Sequence, residues 1–272
     1  MPFPITENVV ATDRHSSFYL ECGPADGVPI IFVHGWPELA ISWRAQLPAF
    51  AELGFRCIAP DMRGYGRSSQ YARTQDYTAE ECVTDLMELL AGIGADKATW
   101  IGHDAGAGAV WQLAAHHPQA CIAVANLCVP YLPQGFTLES MVPLVNRDIY
   151  PADQYPFGQW QYWQYHNEAP EQIAAVMNRD IEHSVRLFFR RGSADHEGRP
   201  SGTVHVKAPD GWEKLYEATR GIGVDEAVLD EESYRAFVAS FKRRGLARVN
   251  AFYRNDSANA AYASTAVNGT TS

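Results

Sequence analysis

Short apolar runs alternate with helix-like patterns through the first half of the chain. Apolar runs bounded by Gly, Pro or charged residues predict buried strands, and they occur here at 28–33, 55–59, 98–101 and 121–127. Helices are predicted between them, at 42–53, from Thr78 onward and from Gly106 to His117. Strands that alternate with helices in this way predict βα units and a mostly parallel sheet, which is an α/β fold.

The pattern changes near Tyr131. From there to about Val249 the chain has helical spacing, many aromatic residues and no strong strand, and helices are predicted at 171–190 and 230–245. A cluster of Gly, Pro and charged residues at 191–211 predicts a long loop between these helices. The second half is therefore predicted to be a helical insertion in the α/β fold.

This change of pattern predicts three parts of the chain. Residues 1–131 form the N-terminal part of an α/β core, residues 132–249 form a helical insertion after the sixth strand, and residues 250–272 form a return segment toward an incomplete core. A chain of 272 residues, with 46% hydrophobic and 20% charged residues, has the size and composition of such a globular protein.

The net charge of −10 narrows the choice of partners. An acidic surface repels phosphate backbones, so no nucleic-acid partner is expected. No apolar run near the N-terminus is long enough to cross a bilayer, so no membrane partner is expected either. The odd number of Cys, without metal-ligand spacing, predicts buried reduced thiols, a cytoplasmic location and no metal site. These residues are Cys22, Cys57, Cys82, Cys121 and Cys128. The pattern carries no signal for an oligomeric state.

The segment Gly-His-Asp-Ala-Gly at 102–106 stands between a predicted strand and a predicted helix. A Gly-x-nucleophile-x-Gly turn in this position is a nucleophile elbow, in which small flanking residues allow a tight turn and the central side chain projects outward. The central residue here is Asp104, and the helix N-terminus favours its charged form. An ionised Asp needs no base and can attack an electrophilic carbon to form an ester. The alternative is that Asp104 only caps the helix.

A second turn, His-Gly-Trp-Pro-Glu at 34–38, follows another predicted strand. Its use in catalysis is a backbone N–H, that of Trp36, directed at a developing oxyanion, with the N–H of Ala105 as the second donor. The alternative is a tight turn without catalytic use, with or without a cis-Pro. Two such turns, each at the end of a strand, favour the catalytic interpretation.

These two turns and the segment Asp-Met-Arg-Gly-Tyr-Gly-Arg-Ser at 61–68 resemble the epoxide hydrolases of the α/β-hydrolase superfamily. The resemblance covers the whole chain and implies an α/β-hydrolase core with a helical cap. It also implies Asp104 as the nucleophile, an oxyanion hole at Trp36 and Ala105, a small-molecule epoxide as substrate, and no cofactor. The segment 61–68 is interpreted as a brace of the core, with Asp61 bonded locally.

The resemblance further implies two cap tyrosines that hold the epoxide oxygen. Tyr162 lies in a segment at 158–165 that is similar to the first cap-tyrosine segment of the family, and Tyr253 lies in a similar return segment. Phenols with a pKa of about 10 can donate to the oxygen and protonate it as the C–O bond breaks. Tyr165, one helical turn after Tyr162, is interpreted as a packing neighbour.

One expected group is missing. The resemblance implies a His after the last strand, which activates the water that hydrolyses the ester, and an acid that orients it. None of the nine His follows Tyr253, and 126–131 contains no carboxylate. The tail at 255–272 resembles the linker that leads into the seventh strand, so the last core strands are expected to be missing and one edge strand to be exposed. We expect the chain to form the ester at most.

Two other functions stay open. A haloalkane dehalogenase shares the fold and the Asp, but Trp36 and Ala105 differ from the side chains that bind halide there. A truncated, non-catalytic hydrolase or small-molecule binding protein fits the missing His. The intact nucleophile, oxyanion and tyrosine motifs favour an epoxide hydrolase over both.

Overall fold

The computed structural model describes residues 3–193, 195, 197–206 and 210–267. They fall into two compact units, of which the first runs to Gly135 and resumes at Ser257, and the second runs from Phe136 to Asp256. The interpretation of the three predicted parts as core, cap and return segment stays a prediction.

A six-stranded sheet organises the first unit. Its spatial order is β1-β2-β4-β3-β5-β6, in which β1 and β2 are antiparallel, β2 and β4 are antiparallel, and the other neighbours are parallel. The predicted α/β fold with a mostly parallel sheet is confirmed. The strands are β1 Thr6–Ala11, β2 Ser16–Cys22, β3 Val28–Val33, β4 Phe55–Pro60, β5 Ala98–His103 and β6 Cys121–Leu127.

The hairpin β1–β2 was not among the predicted strands. In β1 only Asn8 and Val10 are partly buried, and the strand begins with two exposed polar residues, Thr6 and Glu7. A half-exposed strand has no continuous apolar run, so the criterion that found the strands at 28–33, 55–59, 98–101 and 121–127 does not find β1.

Helices cover both faces of the sheet in the first unit. They are α1 Gln46–Ala51, α2 Ala79–Gly92 and α3 Ala105–His116, with short 3-10 turns at Ala40–Trp43, Thr74–Tyr77 and Pro118–Ala120. Thr78 caps α2, because its side chain accepts the Glu81 N–H at 3.3 Å. The helix predicted at 42–53 is instead a 3-10 turn followed by α1, and Pro48 is accommodated because it lies in the first turn of α1.

Alternation along β3 divides the core into two layers. Ile31 and Val33 belong to the cluster that packs against α2 and α3, whereas Ile30 and Phe32 belong to the cluster that packs against α1. Successive strand residues point to opposite faces, so one buried strand supplies both layers. The sheet is thereby fixed between two apolar layers, and the carboxyl ends of its parallel strands carry the candidate site.

Strand β6 forms an edge of the described sheet, since its only strand neighbour there is β5. Ile122 is 53% exposed and Leu127 is 48% exposed. An exposed apolar edge strand was expected from the sequence. Cys128, which follows β6 at φ 73°, is also exposed, so the prediction that all five thiols are buried is wrong for this residue. The strand ends there, and no described layer covers the thiol.

The second unit is helical, and none of its described residues forms a strand. The helices are α4 Leu138–Met141, α5 Gln161–Glu168, α6 Pro170–Arg179, α7 Ile181–Phe188, α8 Gly211–Ala218 and α9 Glu231–Arg244, with 3-10 turns at Val142–Leu144, Gly158–Trp160, Gly202–Val204 and Val249–Arg254. The loop predicted at 191–211 includes 194, 196 and 207–209, which lie outside the described residues.

The tail differs from its predicted form. A helix, α10 Asp256–Ala263, stands where a linker toward a further strand was expected, and 268–272 lie outside the described residues. Ala-rich sequence without β-branched residues favours a helix at 256–263. In the first unit Tyr262 stacks on His116 at 3.8 Å, and the Asn259 side chain accepts the Ala79 N–H at 2.8 Å.

No helix among the described residues is both long and apolar enough to cross a membrane.

Candidate active site

Asp104 lies in the turn between β5 and α3, with φ 51° and ψ −124°. Few non-glycine residues adopt a positive φ, and strained backbone of this kind is concentrated at functional sites. The side chain does not make the usual N-cap hydrogen bond to α3. The structure thus lacks the bond on which the alternative interpretation, a helix cap alone, depends.

Two glycines make this turn possible. A Cβ atom at Gly102 would lie less than 3.0 Å from Asn126 Oδ1 and from the backbone of Ala107. A Cβ atom at Gly106 would lie less than 3.0 Å from the carbonyl oxygens of Val33 and His34. Gly102 leaves room for the start of α3 and for Asn126, and Gly106 leaves room for the end of β3, as the interpretation of 102–106 as an elbow predicts.

The carboxylate of Asp104 accepts hydrogen bonds from the backbone. The Trp36 N–H donates to Oδ1 at 2.8 Å, and the Ala105 N–H also donates to the carboxylate. The peptide bond between Trp36 and Pro37 is cis. The structure thus brings together Asp104, Trp36 and Ala105, the three residues that sequence analysis assigned to the nucleophile and the oxyanion hole.

Burial and neighbouring groups shift the pKa of Asp104 in opposite directions. Burial raises its pKa above the ordinary value, whereas the N–H groups of Trp36 and Ala105 and the positive charge of His103 lower it. The negative charge of Glu38 again raises it. A carboxylate that is partly stripped of water and held by only a few donors is more nucleophilic than one in bulk water.

Glu38 and His103 form an ion pair beside this carboxylate, which the sequence analysis did not single out. Glu38 Oε2 lies 3.0 Å from His103 Nδ1 and accepts the Gly35 N–H at 3.0 Å. The hydrogen bond with Glu38 raises the pKa of His103. Burial raises the pKa of Glu38, but the hydrogen bond and the charge of His103, the Gly35 N–H and the charge of His34 together outweigh it and leave the pKa lowered. The pair lines a cleft of about 200 Å³, with Ser42, Trp43, Gln46 and Leu127.

The segment 61–68 braces the turn at 34–38. Asp61 is buried, and its two carboxylate oxygens accept the N–H groups of Ala40 and Arg67, both at 2.9 Å. His34 bridges two backbone groups, since its Nε2 accepts the Met62 N–H at 2.9 Å and its Nδ1 lies 2.9 Å from the Gly35 carbonyl. These contacts match the interpretation of the segment as structural.

In the second unit, Tyr162 and Tyr253 lie together. Their ring centroids are 5.7 Å apart and the rings are perpendicular. Tyr253 is buried and Tyr162 is half-buried. Trp163 packs on Tyr253 at 5.2 Å, and its indole N–H donates to the Tyr253 carbonyl at 2.9 Å. The two tyrosines assigned from the resemblance are therefore neighbours, although they are 91 residues apart in the sequence.

His166 completes this group, and the sequence analysis missed it. Its ring stacks on Tyr253 at 4.7 Å and lies edge-on to Tyr162 at 6.3 Å. Tyr162 and His166 are four residues apart on α5, which places them on one face of the helix. That spacing was the signal available in the sequence, but it does not indicate a role for His166 unless Tyr253 is known to lie beside both residues.

No group of three or more His, Cys, Asp or Glu side chains suited to a metal ion occurs among the residues that the structure describes.

Comparison with known proteins identifies the family to which this chain belongs. The model of the family described as alpha/beta hydrolase fold matches residues 28–224. Epoxide hydrolase A of Mycobacterium tuberculosis is 32% identical over 252 residues, which are 92% of this chain and 74% of that protein. The chain belongs to the epoxide hydrolase family of the α/β-hydrolase fold.

Solved structures of epoxide hydrolases agree with the fold. Epoxide hydrolase A from Mycobacterium thermoresistibile matches with a TM-score of 0.74 and 31% identity, over 95% of this chain and 76% of that one. Bifunctional epoxide hydrolase 2 of Sus scrofa is 29% identical over 87% of this chain, which spans 39% of its length. The predicted family and fold are confirmed, and membership indicates a hydrolase. The roles of individual residues stay predictions.

Proposed function

We propose that the chain acts on a small-molecule epoxide by attack of the Asp104 carboxylate on a ring carbon. The observation that carries this proposal is the hydrogen bond of 2.8 Å from the Trp36 N–H to Asp104 Oδ1. Because that bond holds Oδ1, we assign the attack to the other carboxylate oxygen, Oδ2. A new C–O bond forms between Oδ2 and carbon, and the strained C–O bond of the epoxide breaks.

The epoxide oxygen leaves carbon with the electron pair of the broken bond and needs a proton. We assign Tyr162 and Tyr253 as its donors, because an alkoxide is a poor leaving group at neutral pH and a phenol is acidic enough to protonate it. Their perpendicular rings lie 5.7 Å apart, which allows two donors to serve one oxygen. The product of this half-reaction is a hydroxyalkyl ester on Asp104.

Hydrolysis of the ester would release a vicinal diol. Water would add to the ester carbonyl, and the N–H groups of Trp36 and Ala105 would stabilise the oxyanion that forms. This step needs a base, and no His follows Tyr253 in the 272 residues. We therefore propose that this chain, tested alone, stops at the ester. From the cysteine pattern we also propose that it acts in the cytoplasm.

The test is incubation with an apolar epoxide such as styrene oxide, followed by intact-mass and peptide mass spectrometry. We expect one covalent adduct, located on Asp104, and no sustained release of diol. Asp104→Asn keeps the side-chain shape and removes the charge, so it should carry no adduct. An adduct of equal yield in Asp104→Asn would overturn the assignment of the nucleophile.

Three other results would redirect the proposal. Sustained diol release from the wild-type chain would contradict the missing base. Halide release from a haloalkane would favour a dehalogenase. A rise in melting temperature with epoxide or diol, without any adduct, would favour a binding protein.

A further inference from the structure

Tyr253 is enclosed by rings from α5. His166 lies nearly parallel to it, with an interplanar angle of 20° and centroids 4.7 Å apart, and Trp163 meets it at 69° and 5.2 Å. Tyr162 meets it edge-on at 89° and 5.7 Å. Rotation of the phenol ring therefore requires movement of a neighbouring ring, and the ring that covers its face is His166.

His166 is fully buried, with 0% of its surface exposed. Burial lowers its pKa to about 3, so the ring is neutral at neutral pH. A neutral planar ring stacks on a phenol without adding charge next to a group that must give up a proton. Its ring is thus suited to hold Tyr253 in place rather than to exchange protons itself.

We propose that His166 is a positioning residue that fixes the ring plane of Tyr253 relative to Tyr162. The inference rests on the proposed function, in which both phenols donate to one oxygen. A proton donor that is misplaced by about 1 Å can lose on the order of 100-fold in rate. The flat face of the ring at 166, rather than its nitrogens, is what the stacking uses.

The experiment compares His166→Phe with His166→Leu. Phe keeps a flat ring, whereas Leu has the bulk of an apolar side chain but no plane to stack on Tyr253. Adduct formation on Asp104 is followed by mass spectrometry at several concentrations of styrene oxide, which yields a maximal rate, kinact, and a half-saturation concentration, KI. Folding of each variant is checked by circular dichroism and thermal melting.

We expect His166→Leu to lower kinact about tenfold or more while KI stays near the wild-type value, because substrate binding does not depend on the phenol plane. We expect His166→Phe to rescue kinact to within about threefold of wild type. A folded His166→Leu with wild-type kinact overturns the proposal. So does a folded His166→Phe that loses as much as His166→Leu, because the nitrogens would then matter and not the plane.

His183 supplies a matched control within the same unit. It is buried, and its ring lies 4.9 Å from that of Tyr216 at an angle of 30°. His183→Leu removes a similar His–Tyr contact away from the proposed donors. We expect it to lower the melting temperature and to leave kinact unchanged. A loss of kinact equal to that of His166→Leu would show a general packing effect and overturn the proposal.

A second measurement does not depend on the reaction. Incorporation of fluorotyrosine, with the Tyr253 resonance identified through Tyr253→Phe, reports the environment of the ring by fluorine NMR. The resonance should stay near its wild-type position in His166→Phe and move or broaden in His166→Leu. If the wild type forms no adduct, the proposed function fails, and this measurement still decides whether His166 fixes Tyr253. An unchanged resonance in folded His166→Leu would overturn the proposal. If His166→Leu does not fold, His166→Met takes its place, and His166→Phe still tests the proposal.

Discussion

The loop around Asp104 and the rings around Tyr253 are held by different forces. Around Asp104 the main contacts are hydrogen bonds from backbone groups, as in the 2.8 Å bond from the Trp36 N–H and the 2.9 Å bonds to Asp61 from two further N–H groups. Around Tyr253 three rings pack at centroid distances of 4.7 to 5.7 Å. The region around Asp104 depends on the direction of hydrogen bonds, and the region around Tyr253 depends on the shape of the packed rings.

This difference determines what each region tolerates. A hydrogen bond is lost when one atom is replaced, and a buried group left unpaired costs about 1–3 kcal/mol. A ring contact survives when another ring of similar size replaces the first. We therefore expect isosteric changes of polar atoms to damage the Asp104 loop, and changes of ring shape to damage the Tyr253 cluster.

The largest effect is expected at the hydroxyls of Tyr162 and Tyr253. They lie in the region held by ring packing, but they are proposed as proton donors and not as packing groups. Tyr162→Phe and Tyr253→Phe keep both rings. We expect each to lower the rate of adduct formation on Asp104 about 100-fold, and the double variant to lower it further. Mass spectrometry of the adduct measures the rate. Tyr165→Phe, on the same helix, is the control and should react as wild type. A double variant with the wild-type rate would remove both tyrosines from the mechanism.

Asp61→Ala tests the hydrogen-bonded region. It leaves the N–H groups of Ala40 and Arg67 without their acceptors, the first in a buried place and the second in a partly buried one. We expect the free energy of unfolding to fall by about 3 kcal/mol, measured by urea denaturation. Asp96→Ala, at an exposed position of the same unit, should change it by less than about 0.5 kcal/mol. Equal effects of the two substitutions would contradict the bracing role.

Trp163→Phe tests the directional bond within the ring cluster. Phe keeps a ring beside Tyr253 but loses the indole N–H that donates to the Tyr253 carbonyl at 2.9 Å. We expect the free energy of unfolding to fall by about 2 kcal/mol, from the lost bond and the smaller ring. Trp111→Phe removes a similar bond, to the Val129 carbonyl, from a half-buried site and should cost less. If Trp163→Phe costs nothing, packing alone holds the cluster.

The smallest effect is a shift in pH dependence. The reactive form of Asp104 is the carboxylate, and burial raises its pKa. The rate of adduct formation should therefore fall as pH drops through a pKa above the ordinary Asp value. The positive charge of His103 lowers that pKa, so His103→Gln should move the fall in rate to higher pH. His166→Phe should leave it in place, because His166 is already neutral there. A shift to lower pH in His103→Gln would contradict this account.

The elbow at Asp104 was predictable from sequence because its cause is local. Small residues at 102 and 106 allow a tight turn, and this turn joins a strand, β5, directly to a helix, α3. The four strands at 28–33, 55–59, 98–101 and 121–127 were found for a similar reason, since an apolar run is a local pattern in the sequence. The helix predicted from Thr78 onward is another local feature that the structure confirms, and Thr78 caps it.

Other features depend on residues far apart in the chain. The ion pair of Glu38 and His103 spans 65 positions, and His166 meets Tyr253 from another part of the second unit. The helix α10 stands where a linker was expected, and it packs through Tyr262 and Asn259 on partners more than 100 positions earlier. Neither composition nor spacing identifies such partners, because many pairings satisfy the same pattern.

The sequence by itself indicated the family, the alternation of strands and helices, and the residue at the centre of the elbow, because motifs, apolar runs and flanking glycines are local patterns. Only the tertiary structure decided which N–H groups hold Asp104, which ring covers Tyr253 and which thiol is exposed, because each depends on how distant segments pack.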